Sequence, residues 1–182
     1  MREDVIIGFL DESSPQTTAN TQRLWSFGKP IIYKNTTRFR ANTFGFYALN
    51  GNSVIAFRDH SKKEDVCEFL REIRRMNPVR WIIIILDNFS SHRARDTIQC
   101  AAECGIDLVY LPPYSPDLNP LEYIWKSIRR VISQTFISNI DHMTKLIRDN
   151  FQDFSSQLSF ARGWIERFLN GEIKYEILGS QL

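Results

Sequence analysis

Residues 81–88, WIIIILDN, decide how this chain folds. Ile82 to Ile85 and Leu86 form a continuous large apolar run with no polar face for water. A run this short and β-branched reads as a strand buried on both faces, the central position of a parallel or mixed sheet. Burying such side chains contributes roughly 1.5–3 kcal/mol each, so the strand belongs to the core. It stops at Asp87-Asn88, and a carboxylate at the carboxyl end of an inner strand stands where open α/β sheets hold their ligands. A lone Asp there would read first as a cap for the next helix.

Working outward, VIIGFLD (residues 5–11) is a second apolar run ending in an acid, Asp11, with Glu12 behind it. Residues 12–28 are polar and read as a loop, and KPIIYK (29–34) as a short edge strand. Residues 41–49 and 53–58 flank Asn50-Gly51, a dipeptide suited to the positive φ values of a type I′ hairpin turn. In 61–76, Val66, Phe69, Leu70, Ile73 and Met76 recur at helical spacing, which predicts a helix with those residues in the core. After the WIIIIL strand comes a helix from about His92 to Cys104, stopped by Gly105, and then a strand over 106–111. Strand, helix and strand with short joints make a βαβ unit, whose crossover is right-handed. Prolines 112, 113 and 116 exclude regular structure until a helix opens at Asn119, and from about residue 139 the tail is helical. Leaving aside the short edge strand at 29–34, the fold class is α/β, a mixed five-stranded sheet of three antiparallel strands followed by parallel ones, flanked by helices. Residues 1–182 read as a single domain.

Composition narrows the function classes. With 43% hydrophobic and 13% aromatic residues the 182-residue chain can bury a sizeable core. Its net charge of +2 is close to balance, although basic residues cluster at 34–40, 71–80 and 126–130. Three cysteines, without a CxxC or a His pair, argue against a disulfide framework and a zinc site and suit a reducing cytoplasm. No apolar segment is long enough to span a membrane. The expected location is cytoplasmic, nucleoid-associated in a prokaryote.

Asn119-Pro120-Leu121-Glu122 spells out a helix start: Asn as N-cap, Pro at the first helical position, and Glu where it can close a capping box. Glu122 also precedes Lys126 by four residues, the favourable order for an ion pair. On local grounds it is a cap. Its wider setting points elsewhere, because Glu122 shares a helix face with Lys126, Arg129 and Arg130, apart from the apolar face of Leu121, Ile124, Trp125, Ile128 and Ile132. The loop before this helix leaves the sheet at the edge where Asp87 ends, and Asp11 joins them if its strand neighbours that of Asp87. Three converging carboxylates repel one another unless a cation sits among them. All-oxygen ligands favour Mg²⁺ or Mn²⁺, and two such ions about 3.5–4 Å apart can clamp both oxygens of a phosphoryl transfer. The basic stripe beside them suits a phosphate backbone.

Asp11 in FLDES, Asp87 in LDNFSSH and Glu122 in YSPDLNPLE resemble the acidic triad of DDE transposases, in particular the mariner superfamily and related insertion-sequence enzymes. The 34 residues between Asp87 and Glu122 match that family's spacing, and Asn88 and His92 fit its second motif. The resemblance spans roughly residues 4–135. It implies a ribonuclease-H-like fold and DNA cleavage at element ends, with transfer of the freed 3′-hydroxyl into a TA target. It also implies a homodimer in the active complex. Asp11, Asp87 and Glu122 would be the catalytic residues and metal ligands, with Glu12, Asn88, His92 and Asn119 in support. DNA contacts are expected from Lys34, Arg38, Arg40, Lys126, Arg129 and Arg130. Family members usually carry an N-terminal helix-turn-helix region, and this sequence opens directly on the first strand, so that region is expected to be absent. His92 by itself reads as a helix-start residue, and Glu12 as a neighbour tuning Asp11. The rival readings are another ribonuclease-H-like nuclease of the junction-resolvase type and a non-catalytic DNA-binding relic of a transposase. A Walker-type nucleotidase is excluded, since no GxxxxGK[ST] loop exists.

Overall fold

The alternation of apolar residues in VIIGFLDES builds β1 (Val5–Ser13), which is the middle strand of a five-stranded sheet in the computed structural model. The structure describes residues 5–18, 27–28 and 35–169. On one side β1 pairs antiparallel with β2 (Thr43–Ala48), which pairs antiparallel with β3 (Val54–Phe57). On the other side it pairs in parallel with β4 (Trp81–Leu86), which pairs in parallel with β5 (Ile106–Tyr110). The sheet order β3-β2-β1-β4-β5 thus corrects one expectation: WIIIIL is an inner strand but not the central one. It is also less evenly covered than its composition suggests, with Trp81 exposed and Ile83 half-buried.

The period of two sorts side chains onto two cores. Ile6 and Leu10 of β1, Phe44 and Phe46 of β2, and Ile82, Ile84 and Leu86 of β4 pack with α1 (Lys63–Met76) and α2 (Arg95–Glu103). Phe9, Tyr47 and Ile85 point the other way, against α3 (Leu121–Gln134), α4 (Ile140–Ser155) and the short α5 (Arg162–Phe168). α4 opens on a side-chain cap, Asn139 Oδ1 accepting from the His142 N–H at 2.7 Å. Among the described residues no helix is long and apolar enough to cross a membrane.

Several local expectations fail for identifiable reasons. Met76 is 48% exposed, because α1 ends there, whereas Val66, Phe69, Leu70 and Ile73 of the expected stripe are buried. The second helix starts at Arg95, leaving His92 in the preceding turn. The proline loop contains a 3-10 turn over Pro116–Leu118, which a first-position proline favours. The β2–β3 hairpin forms without a type I′ turn: the positive-φ residues among those described are Tyr114 and Gly105, so Asn50 and Gly51 are not among them. Asn50 is used for a longer-range purpose. Its Oδ1 accepts from the Ile7 N–H at 2.9 Å and its Nδ2 donates to Val5 O at 2.8 Å, tying the hairpin loop to the start of β1. Gly51 is required by close approach, since a Cβ there would stand 2.9 Å from Ile6 and 3.0 Å from Asn77 Oδ1. The edge strand expected at 29–34 lies outside the described residues.

One glycine governs how α3 meets the sheet. Gly45 is the cross-strand partner of Asp11, and a Cβ on it would lie 2.6 Å from Trp125 Cζ2. Trp125, 1% exposed, therefore rests on bare backbone. Gly45→Ala is expected to push α3 outward and destabilise the fold by about 1–3 kcal/mol, the usual cost of overpacking. Urea denaturation of the two proteins measures this, and an unchanged midpoint would mean that α3 is not seated on Gly45.

Candidate active site

Three chain segments deliver their acids to one end of the sheet. Because β1 and β4 run in parallel, Asp11 near the end of β1 and Asp87 just beyond β4 emerge on the same side. Glu122 is the second residue of α3, which Trp125 holds over Gly45. All three line a cavity of about 420 Å³ whose far wall is the proline loop after β5. Asn88 joins them, its Nδ2 donating to Leu111 O and so linking the exits of β4 and β5.

Asp11 is the strained member. It is 8% exposed, and its Oδ2 is buried with no hydrogen-bond partner. Burial, then the fields of Glu122, Glu12 and Asp87, hold its carboxyl well above the usual carboxylate range. Asp87 differs: the hydrogen bond from His92 lowers it, against a smaller opposing effect of burial, and the Phe89 N–H adds a bond at 3.0 Å.

His92 is not a helix-start residue. It is fully buried, with Nδ1 2.8 Å from Asp87 Oδ1 and Nε2 2.9 Å from Glu12 Oε1. Burial alone would lower its pKa, but the bonds to Asp87 and Glu12 prevail and raise it to about 10. The imidazole is then a cation at neutral pH, donating from both nitrogens. Glu12 lies on the opposite face of β1 from Asp11, so it reaches His92 while Asp11 faces Glu122. The Tyr110 hydroxyl donates to His92 O at 3.0 Å, fixing the turn to β5.

The capping box expected at Asn119 does not form. Asn119 Oδ1 accepts from the Leu121 N–H at 3.1 Å, so the residue does cap α3, but its own N–H donates to Pro116 O in the 3-10 turn. With that donor taken, Glu122 has nothing to reach back to. Its ion-pair partner is Arg129 Nη2 at 3.7 Å rather than Lys126. Arg129 also donates to Ser13 Oγ at 3.0 Å, pinning α3 to the end of β1. The expected basic stripe is therefore divided: Arg129 faces the acids, whereas Lys126 and Arg130 face a separate groove toward α5. Arg38 and Arg40 are exposed, with Arg40 bridged to Gln16 just beyond β1. Lys34 lies outside the described residues.

This donor set fits a hard divalent cation. It consists of carboxylates with one orphaned, buried oxygen in a field of like charge. Among the described residues no three such groups already stand together as a ready ligand cluster. Asp87 and Glu122, with side chains 56% and 41% exposed, have room to turn toward the fixed Asp11. Phe89, 50% exposed, and Tyr114, fully exposed at φ 59°, flank the same cavity. Neither was singled out in the sequence, where the only signal is an aromatic beside each of two loop motifs.

The raised pKa of Asp11 predicts a pH signature in metal-free protein. Below the ordinary carboxylate pKa near 4, Asp11 is protonated in both folded and unfolded chains. As pH rises, the unfolded chain ionises first and gains the advantage, so Asp11 costs stability at neutral pH. Asp11→Asn should be more stable than the parent at pH 7 in chelator, with the two denaturation curves converging toward pH 3. A constant difference across that range would contradict the assignment.

The comparisons with known proteins agree with this geometry. The family described as DDE superfamily endonuclease matches residues 7–144, a span holding all three acids. The transposable element Tcb2 transposase of Caenorhabditis briggsae is 26% identical over 100 residues, which is 54% of this chain and 37% of that one. Among solved structures, a chain of the Mos1 strand transfer complex superposes with TM-score 0.63 at 16% identity, over 97% of this chain and 54% of its own. The catalytic domain of Mos1 mariner transposase gives 0.57 at 14% identity, over 85% and 76%. The chain thus spans well under two thirds of the first two relatives, and the shared sheet is the expected ribonuclease-H-like fold. The family match covers most of the chain and every acid of the site, and this protein belongs to the DDE superfamily of endonucleases.

Proposed function

We propose that the chain is the catalytic domain of a mariner-type transposase, cutting DNA at element ends and joining the freed 3′-hydroxyl to a TA target. The observation that carries this reading is the buried, unpartnered Asp11 oxygen facing Glu122 and Asp87. Asp11, Asp87 and Glu122 would hold Mg²⁺ or Mn²⁺, as two ions. When bound, these would supply a Lewis acid for the phosphoryl oxygens and activate the attacking oxygen. His92 orients Asp87 and ties it to Glu12 across the sheet end. Arg129 keeps Glu122 over the cavity. Arg38, Arg40, Lys126 and Arg130, with Lys34, would hold the phosphate backbone without reading its sequence.

Mos1 has been solved as a paired-end complex with a transposon end, and as paired-end complexes with Mn and with Mg. These complexes support DNA as the partner and a divalent cation as the cofactor here; a homodimer as the active assembly is part of the same proposal.

Glu122→Gln separates the catalytic reading from a purely structural one. Since Glu122 makes no capping bond, the variant loses only a half-exposed pair with Arg129, worth about 0–1 kcal/mol. Nicking of supercoiled plasmid in Mn²⁺ should fall by more than the roughly 10–100-fold that loss of an outer-shell partner costs. It should also cease in chelator for the parent. Near-parental nicking by the variant, or nicking that survives chelation, would overturn the proposal.

A further inference from the structure

We propose that the groove between α3 and α5 holds a short single-stranded stretch of DNA flanking the cut. This rests on the reading of the acidic cavity as the place of cleavage. The two hollows share one wall. Ser115, Pro116, Asn119 and Glu122 face the acids, while Asp117, Leu118, Pro120 and Tyr123 face the groove, so the 3-10 turn is a ridge between them. A strand leaving the acids over that ridge enters the groove directly.

The groove has the chemistry of a single-strand channel. Lys126 and Arg130 come from α3 and Arg167 from α5, and among the described residues none of the three is in an ion pair. Asp117, on the ridge, is the carboxylate it contains. Between the cations stand Tyr123, 48% exposed, and Phe168, 44% exposed, with Trp164 beside them. The aromatic wall is held in place: Trp164 meets the buried Phe9 edge-on at 4.9 Å and Phe168 at 5.3 Å. Arg167 lies over the Phe168 ring at 5.2 Å.

Exposed aromatic planes suit bases that are not already stacked in a duplex, and interleaved cations track the backbone between them. The groove measures about 570 Å³, within the roughly 300–1,000 Å³ of small-ligand sites, so it matches a short strand rather than a double helix. Along α3, Lys126 and Arg130 stand about 6 and 12 Å from Glu122 at 1.5 Å per residue, so the cations continue the path of a strand that leaves the acids.

The test compares binding of one duplex with flush ends and the same duplex carrying a four-nucleotide single-stranded extension, by fluorescence anisotropy of the full chain in chelator. The extension should tighten binding about tenfold, the lower range of one base stacked on an aromatic. It should steepen the dependence of log K on log salt by about 2, as three single-strand phosphate contacts would. Arg167→Gln and Phe168→Ser change exposed side chains, and each should lose most of that preference while melting like the parent. Lys126→Gln on α3 provides a second check if either α5 variant folds poorly. Equal affinity for the two DNAs, or a full preference retained by Arg167→Gln, would overturn the proposal. Because no metal is present, its failure is separate from that of the catalytic reading. A chain that prefers the extension but never nicks DNA would keep the groove and lose the transposase, and the reverse result would do the opposite.

Discussion

Trp125 lies where Gly45 has no side chain, and the rest of the site depends on that contact. Gly45 is paired across the strands with Asp11, so the bare backbone that admits the indole sits beside the first acid. Phe151 of α4 packs against the indole at 5.6 Å and reaches Gly45 as well, and Arg129 ties α3 to Ser13. With α3 held at these points, Glu122 at its first turn has one place to go, over the cavity that Asp11 and Asp87 share. A core packing decision thereby positions a third acid of the cavity, one that comes from neither strand.

The electrostatics show what that arrangement costs. A carboxylate that is nine-tenths buried, lacks a partner for one oxygen and sits in the field of three other acids works against folding. The chain offsets part of the accumulated negative charge with His92, but that imidazolium serves Glu12 and Asp87 and does not touch Asp11. The remaining imbalance is centred on the Asp11 oxygen. Strain of this kind persists at functional sites, where a ligand relieves it.

Much of this was legible from residues alone. Both acid-terminated strands, the amphipathic first helix and the helix behind YSPDLNPLE follow from periodicity and caps, and they form within a few residues of the expected limits. The acids were legible because strand ends and a helix start are places where side-chain direction is constrained. What stayed hidden depends on contacts between distant segments. His92 and Glu12 are 80 positions apart, and nothing local distinguishes a buried bridging imidazole from one at a helix start. Asn50-Gly51 reads as a type I′ turn until its side chain finds β1. Lys126, Arg129 and Arg130 share one side of a helical wheel. Whether a given cation meets the acids or the groove depends on where α5 docks, and α5 has too little pattern to say.

The central claim is that the unpartnered Asp11 oxygen marks the seat of a divalent cation. Anomalous diffraction from crystals grown with Mn²⁺ tests it most directly. The account predicts a manganese peak bonded to Asp11, with Asp87 and Glu122 turned toward it. Manganese found only on surface carboxylates, with the Asp11 oxygen still unpartnered at saturating metal, would contradict it.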